Sequence, residues 1–277
     1  MRVDAHQHFW RYSAAEYGWI DDAMAALKRD FLPADLKPLL AANGFDASIA
    51  VQARQTLEET EDLLELAEVN DFIAAVVGWV NLCAPAVRGD LERLSARKKL
   101  KGVRHVVQAE PDREFLLRAD FQRGMGLLKE FDLTYDVLIY PKHLAVTEQF
   151  VRAFPEQRFV LDHMAKPVIA AGLLEPWKAD MRVLGRHSNV TCKLSGMVTE
   201  ARWGQWTQRD FEPYLDTVLE TFGPERLMIG SDWPVCTVSA DYAAAMGIVR
   251  THIARLTETE RAAIEGGTCA RVYGIDG

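Results

Sequence analysis

The chain has 277 residues, 49% hydrophobic and 26% charged, an ordinary globular balance with enough length for one (β/α)8 barrel and a large buried core. Its 32 Lys and Arg stand against 40 Asp and Glu, a net charge of −8 without any block of like charge. That argues against nucleic acid and anionic membranes as partners, because both reward clustered Lys and Arg.

The opening MRVDAHQHFW does not read as a signal peptide, since Asp4 and two histidines stand where an apolar core should lie. No run reaches the length of a membrane-spanning helix. Cys83, Cys192, Cys236 and Cys269 are scattered without a C-x-x-C pair. They read as free thiols in a reducing compartment, and a cytoplasmic location is expected.

In chain order, short apolar runs predict strands at Val3–His6, Ala47–Ala53, Ile73–Val80, Gly102–Val106, Leu133–Ile139, Arg158–Asp162, Val190–Leu194 and Leu227–Gly230. They are rich in Val, Ile and Leu with little alternation, as expected of parallel strands covered on both faces. Between them, Pro33–Ala42 carries Leu36, Leu39 and Leu40 on one stripe, and Thr56 opens a capping-box spacing ahead of Leu63 and Leu64. Further helices are predicted at Phe121–Phe131, Leu144–Phe154, Pro176–Gly185, Asp210–Phe222, Asp241–Leu256 and, as an extra C-terminal helix, Glu258–Gly266. The alternation predicts a closed parallel α/β barrel spanning residues 1–277 as one domain. The segment from Trp10 to Phe31 is too long for a plain connection and is expected to cover the barrel mouth.

Chemistry in such a barrel collects where the strands end, and these ends are unusually polar. They carry His6, Gln7 and His8; Gln52 and Arg54; Arg104 and His105; Asp136; Asp162 and His163; Lys193 and Ser195; and Ser231, Asp232 and Trp233. Period-two alternation aims the imidazoles of His6 and His8 at one side, where they can hold a divalent metal or polarise a carbonyl oxygen. Alone, the pair reads equally as an internal hydrogen-bond network. Asp232 turns the balance, since its carboxylate could ligate the metal or take a proton from water. Asp136 and Lys193 each need a partner if buried, and a buried ion pair competes with substrate binding as their role; for Lys193 the partner would be Asp232 or Asp162.

Five segments in order carry a resemblance: Asp-Ala-His-Gln-His-Phe-Trp at 4–10, Val-Leu-Asp-His-Met-Ala-Lys-Pro at 160–167, Cys-Lys-Leu-Ser-Gly at 192–196, Gly-Ser-Asp-Trp-Pro-Val at 230–235 and Glu-Gly-Gly-Thr-Cys-Ala-Arg-Val-Tyr-Gly at 265–274. The chain resembles the amidohydrolase superfamily, and within it the sugar-lactonase branch that includes L-fuconolactonases and L-rhamnonolactonases. The resemblance implies a deformed barrel and hydrolysis of a carboxylic ester or amide. By position, His6 and His8 match the first-strand pair, His163 the sixth-strand histidine and Asp232 the eighth-strand aspartate. Asp136 replaces the usual fifth-strand histidine, and no Lys or Glu is suited to bridging two metals, which argues against a binuclear centre. One divalent ion, zinc, on His6, His8 and Asp232 is the expected cofactor; some members of the branch work without metal, so its necessity stays open.

The expected reaction is opening of an aldonolactone to its sugar acid. Asp232 would activate water, while His163, Arg104 or the metal would steady the oxyanion. Gln52, His105, Asp136, Lys193 and Trp233 would contact the sugar. A non-oxidative decarboxylase and a barrel that binds sugar acids without catalysis are the competing readings.

Overall fold

In the computed structural model, which describes residues 1–275, eight parallel strands lie side by side in chain order. They are β1 Val3–Gln7, β2 Ala47–Val51, β3 Ile73–Gly78, β4 Leu100–His105, β5 Thr134–Val137, β6 Phe159–Leu161, β7 Val190–Leu194 and β8 Leu227–Ile229. The last two residues of the expected domain lie outside the described part. Helices α1 Pro33–Ala42, α2 Leu57–Val69, α3 Val87–Ser95, α4 Ala119–Met125, α5 Leu144–Ala153, α6 Trp177–Leu184, α7 Met197–Glu200, α8 Gln208–Phe222 and α9 Tyr242–Ile253 follow the strands. Two more, α10 Glu258–Ala262 and α11 Thr268–Tyr273, end the described chain. No helix among the described residues is long and apolar enough to cross a membrane.

The barrel closes where β8 meets β1. His8 N–H donates to Trp233 O at 2.7 Å and Asp232 N–H to His6 O at 2.9 Å, so the seam is made by the residues on which the sequence places the chemistry. Below them, the buried Asp4 carboxylate accepts from Ser231 N at 2.9 Å, Ser231 Oγ at 2.6 Å and Tyr242 Oη at 3.1 Å. Burial pushes this carboxyl up to about 6 in spite of those donors.

Two apolar shells make the core. Leu, Phe and Trp side chains between strands and helices form the outer one. Inside the barrel, Val3, Ala5, Ile49, Val77, Val160 and Met228 form a smaller one, into which α11 inserts Cys269, Val272 and Tyr273 as a plug.

Three departures from the sequence reading have local causes. Helix α3 had no predicted counterpart: Val87–Ser95 is mostly polar, with Gly89 inside it, and buries only Val87, Leu91 and Leu94. The helix expected at Phe121–Phe131 is α4 followed by a separate 3-10 turn at Leu128–Phe131. Glu258–Gly266 runs on through a wide turn at Ala263–Gly267 into α11.

The segment from Trp10 to Phe31 is a compact loop with a closed neck, since Trp10 and Phe31 exchange both backbone hydrogen bonds at 3.0 and 2.9 Å. Trp10 packs on Tyr17, Trp19 and Phe31, and lies 6.4 Å from the ring of His8. Glu59, in the first turn of α2, anchors the loop by accepting from Tyr17 Oη at 3.4 Å and from the backbone of Ala53. Burial pushes the Glu59 carboxyl up from 4.5 to about 7, against the backbone donors and Arg54. A raised folded value means that the folded state holds this proton more tightly than the unfolded chain does. The resulting stability is complete below the ordinary value of 4.5 and lost as pH rises through about 7. The melting temperature of the native chain should therefore fall relative to that of Glu59→Gln between about pH 5 and pH 8. A difference constant over that range would mean that Glu59 is ionised throughout.

Candidate active site

A register shift between Asp4 and Gln7 interrupts the pairing of β1 with β2. Before it, Val3 and Ala5 face the barrel interior; after it, His6 and His8 do. The bulge re-aims the strand so that two imidazoles, rather than Gln7, point inward. Gln7 turns outward and donates to Ser48 Oγ at 3.2 Å.

His8 Nδ1 lies 2.7 Å from Val51 O, so it carries the proton and leaves Nε2 as a free lone pair. His6 Nδ1 lies 3.3 Å from both Asp162 Oδ1 and Lys193 Nζ, and an N–H directed at the carboxylate leaves Nε2 as an acceptor, which Arg104 Nη1 approaches at 3.3 Å. The two Nε2 atoms are 3.2 Å apart. Asp232 Oδ1 stands 3.4 Å from that of His8 and 3.8 Å from that of His6. His163 Nε2 approaches the same oxygen at 3.7 Å.

The backbone works to hold the last two. His163, Met164, Ala165 and Lys166 have φ of 53°, 53°, 57° and 52°, a run of four left-handed residues without a glycine. Each costs about 1–2 kcal/mol relative to ordinary backbone. Buried Met164 and Ala165, a hydrogen bond from Trp177 Nε1 to Met164 O at 2.8 Å and one from Lys166 N to His163 O at 2.8 Å hold the turn. Asp232 is left-handed too, with φ 57°. On β7's exit, Ser195 Oγ lies 2.8 Å from His163 Nδ1. Gly196 passes so close that a Cβ there would stand 2.6 Å from the same nitrogen.

Burial pushes the His163 imidazole down to about 4, against the pull of Asp232 and Asp162. Burial likewise lowers His6, against Asp162. Both rings are neutral near neutral pH. Burial alone would raise the Asp232 carboxyl, but His163, His8 and His6 outweigh it and hold it below the ordinary carboxylate range.

Beneath this cluster sits a buried ion network. Lys193 Nζ lies 2.6 Å from Asp136 Oδ2 and 3.0 Å from Asp162 Oδ1. Arg104 Nη1 donates to Asp162 Oδ2 at 2.9 Å and reaches within 3.3 Å of His6 Nε2. Two cations face two carboxylates. Burial alone would lower Lys193, yet Asp136 and Asp162 hold it above its ordinary value.

The structure thus brings His6, His8, His163, Asp232 and Arg104 together. Asp136 and Lys193 lie inside the barrel below them, fully buried and committed to each other, and Asp232 is not among the partners of Lys193. Gln52 is buried as well, its backbone and side-chain oxygens both accepting from Arg104. His105 points outward, stacked on Phe115 at 4.6 Å, with Trp79 Nε1 at 3.2 Å and Glu110 at 2.7 Å. Trp233 packs on Phe9 and Phe31 behind the seam. Three residues had no role in the sequence reading: Ser195, two positions from Lys193 and signalled by that spacing, and Lys166 with Glu200, which pair at 3.4 Å. Burial raises the Glu200 carboxyl against Lys166, and the charge of Asp232 adds to the rise.

The donors fit one divalent ion. Ligands held about 2.0–2.1 Å from a tetrahedral zinc stand roughly 3.3 Å apart. The lone pairs of His6 and His8 and the Asp232 oxygen face one another at 3.2, 3.4 and 3.8 Å. These three residues are able to hold a metal ion. A second grouping, His6, Asp162 and His163, is already matched by the fixed charges of Arg104 and Lys193.

A family model described as Amidohydrolase matches residues 3–275. An L-fucono-1,5-lactonase of Burkholderia multivorans is 45% identical, with 99% of this chain and 96% of that protein aligned. An L-fucono-1,5-lactonase of Burkholderia ambifaria is 38% identical, covering 100% of this chain and 96% of its own. The crystal structure of a Burkholderia multivorans amidohydrolase with bound zinc superposes with a TM-score of 0.95 at 45% identity, covering 100% of both chains.

Two substitutions check the geometry. Lys193→Met leaves Asp136 and Asp162 undercompensated and should cost about 3–5 kcal/mol in denaturant unfolding. Gly196→Ala should displace His163 and abolish most turnover while lowering the melting temperature by only a few degrees.

Proposed function

The chain belongs to the amidohydrolase family, and on that premise we propose that it hydrolyses a sugar lactone of the L-fucono-1,5-lactone type to the sugar acid. The observation that carries this reading is the 45% identity to a lactonase over nearly the whole of both chains. The geometry supplies the parts that ester hydrolysis needs.

Asp232, ionised and beside His163, takes a proton from the attacking water. The water oxygen bonds to the lactone carbonyl carbon and the carbonyl oxygen becomes an oxyanion. With Ser195 donating to Nδ1, His163 carries its proton on Nε2 and gives that oxyanion a hydrogen bond. The fixed charge of Arg104, beside His6, adds to the positive potential there. The bond from carbonyl carbon to ring oxygen then breaks, and Asp232 returns its proton to the departing alkoxide. A zinc ion held by His6, His8 and Asp232 would supply Lewis-acid polarisation and lower the pKa of bound water. Lys166 and Glu200, at the edge of the site, are suited to hydrogen-bond the ring hydroxyls.

A pH-indicator assay on a panel of L- and D-aldonolactones should show acid release well above the spontaneous rate. Chelation should abolish it and zinc restore it; undiminished turnover after exhaustive chelation would take the metal out of the scheme. Run in ¹⁸O-water, the reaction should place one label in the product carboxylate, whereas a decarboxylase would release CO₂ and leave no newly labelled carboxylate in its organic product. Asp232→Asn should lower kcat by roughly 10²–10⁴-fold with the fold intact. Near-normal kcat would remove Asp232 as the base.

A further inference from the structure

The C-terminal plug does more than fill the barrel floor. Tyr273, the last residue of α11, is buried and donates its hydroxyl to Asp136 Oδ2 at 2.6 Å. The same oxygen receives Lys193 Nζ at 2.6 Å, while Thr134 Oγ1 donates to Oδ1 at 3.1 Å. Lys193 continues to Asp162 Oδ1 at 3.0 Å, and His6 Nδ1 lies 3.3 Å from both that oxygen and Lys193 Nζ. Each link is a buried polar contact, so an unbroken line runs from the far end of the barrel to the back of one imidazole of the site.

From this geometry we propose that Tyr273 is a positioning residue, whose hydroxyl sets the orientation of His6 through Asp136, Lys193 and Asp162. The lysine is the pivot of the argument. It stands between two carboxylates that compete for it, closer to Asp136 than to Asp162. Tyr273 and Thr134 satisfy part of the Asp136 charge, which leaves Lys193 free to face Asp162 as well. Without the tyrosine hydroxyl, Asp136 draws the ammonium further toward itself. Asp162 then loses a partner that no water can replace in a sealed interior, and it turns toward Arg104. His6 Nδ1 loses the fixed acceptor that selects its tautomer and ring angle. Burial pushes the Tyr273 hydroxyl well up, which keeps it a donor near neutral pH.

The ring does separate work. Its face lies 5.6 Å from Lys193 Nζ, and its edges pack with Val272 and Cys269 against the barrel floor. Tyr273→Phe keeps both and removes only the hydroxyl. Val272→Ala does the reverse, loosening the same helix without touching the polar line.

The inference rests on the lactonase reading for one of its readouts and not for the other. Zinc affinity, measured by competition with a chromophoric chelator, needs no substrate; kcat and KM are measured on the lactone. Tyr273→Phe should weaken zinc binding by about tenfold, as loss of an outer partner of a metal-bound histidine does, and lower kcat to a similar degree with KM within about twofold. Val272→Ala should lower the melting temperature and leave zinc affinity and kcat at native values. Native zinc affinity and kcat in Tyr273→Phe would overturn the proposal. So would equal losses in Val272→Ala, because the hydroxyl would then matter only as packing. If no lactone is turned over by the native chain, zinc affinity alone decides the role of Tyr273.

Discussion

Lys193 and Arg104 are locked against Asp136 and Asp162 inside the barrel, away from water, and the geometry of the site above them depends on that balance. Removing four charges from water carries a desolvation cost that their mutual attraction barely repays. A set of well-packed aliphatic side chains would fill the same space with no loss of stability. What aliphatic packing lacks is direction. The hydrogen bond from Arg104 and the ion pair with Lys193 fix where the Asp162 oxygens point, and so fix the ring of His6, to a degree that methyl groups cannot. The network is best understood as a rigid polar floor on which a site with close tolerances is set.

The same trade of stability for geometry recurs in the backbone. The left-handed run from His163 to Lys166 and the left-handed Asp232 are unfavourable wherever they are not over-determined by their surroundings. Here Trp177, Ser195 and the seam with β1 supply that determination. Strain gathers at two of the residues that the chemistry uses.

Much of this was legible in the sequence, and the boundary of legibility has physical causes. Parallel strands buried on both faces show as apolar runs, so all eight could be placed within a few residues. His6, His8, His163 and Asp232 could be seen to converge because alternation and strand order put them at one end. The bulge in β1 could not be foreseen, since it is a matter of register and not of residue type. Orientation was the other blind point: Arg104 and His105 are neighbours on β4, yet one faces His6 and the other Phe115. Helix α3 escaped because three buried side chains in nine residues barely mark a stripe. Tyr273 escaped because nothing local tells that a C-terminal helix reaches Asp136 across 137 positions of sequence.

The seam between β1 and β8 joins segments far apart in the chain: Ser231 and Asp4, bonded at 2.6 Å, are 227 residues apart. Synthesis makes His6 and His8 long before Asp232. Until Asp232 is made, the two histidines belong to a strand with no eighth neighbour, and a chain that stops short of it lacks the third candidate ligand. The closing seam and the third candidate ligand arrive with the same strand end, so a chain cut short before it has neither a closed barrel nor a complete site. The cost is a long wait with one strand edge exposed, the kind of delay that makes topologies of high contact order slow to fold.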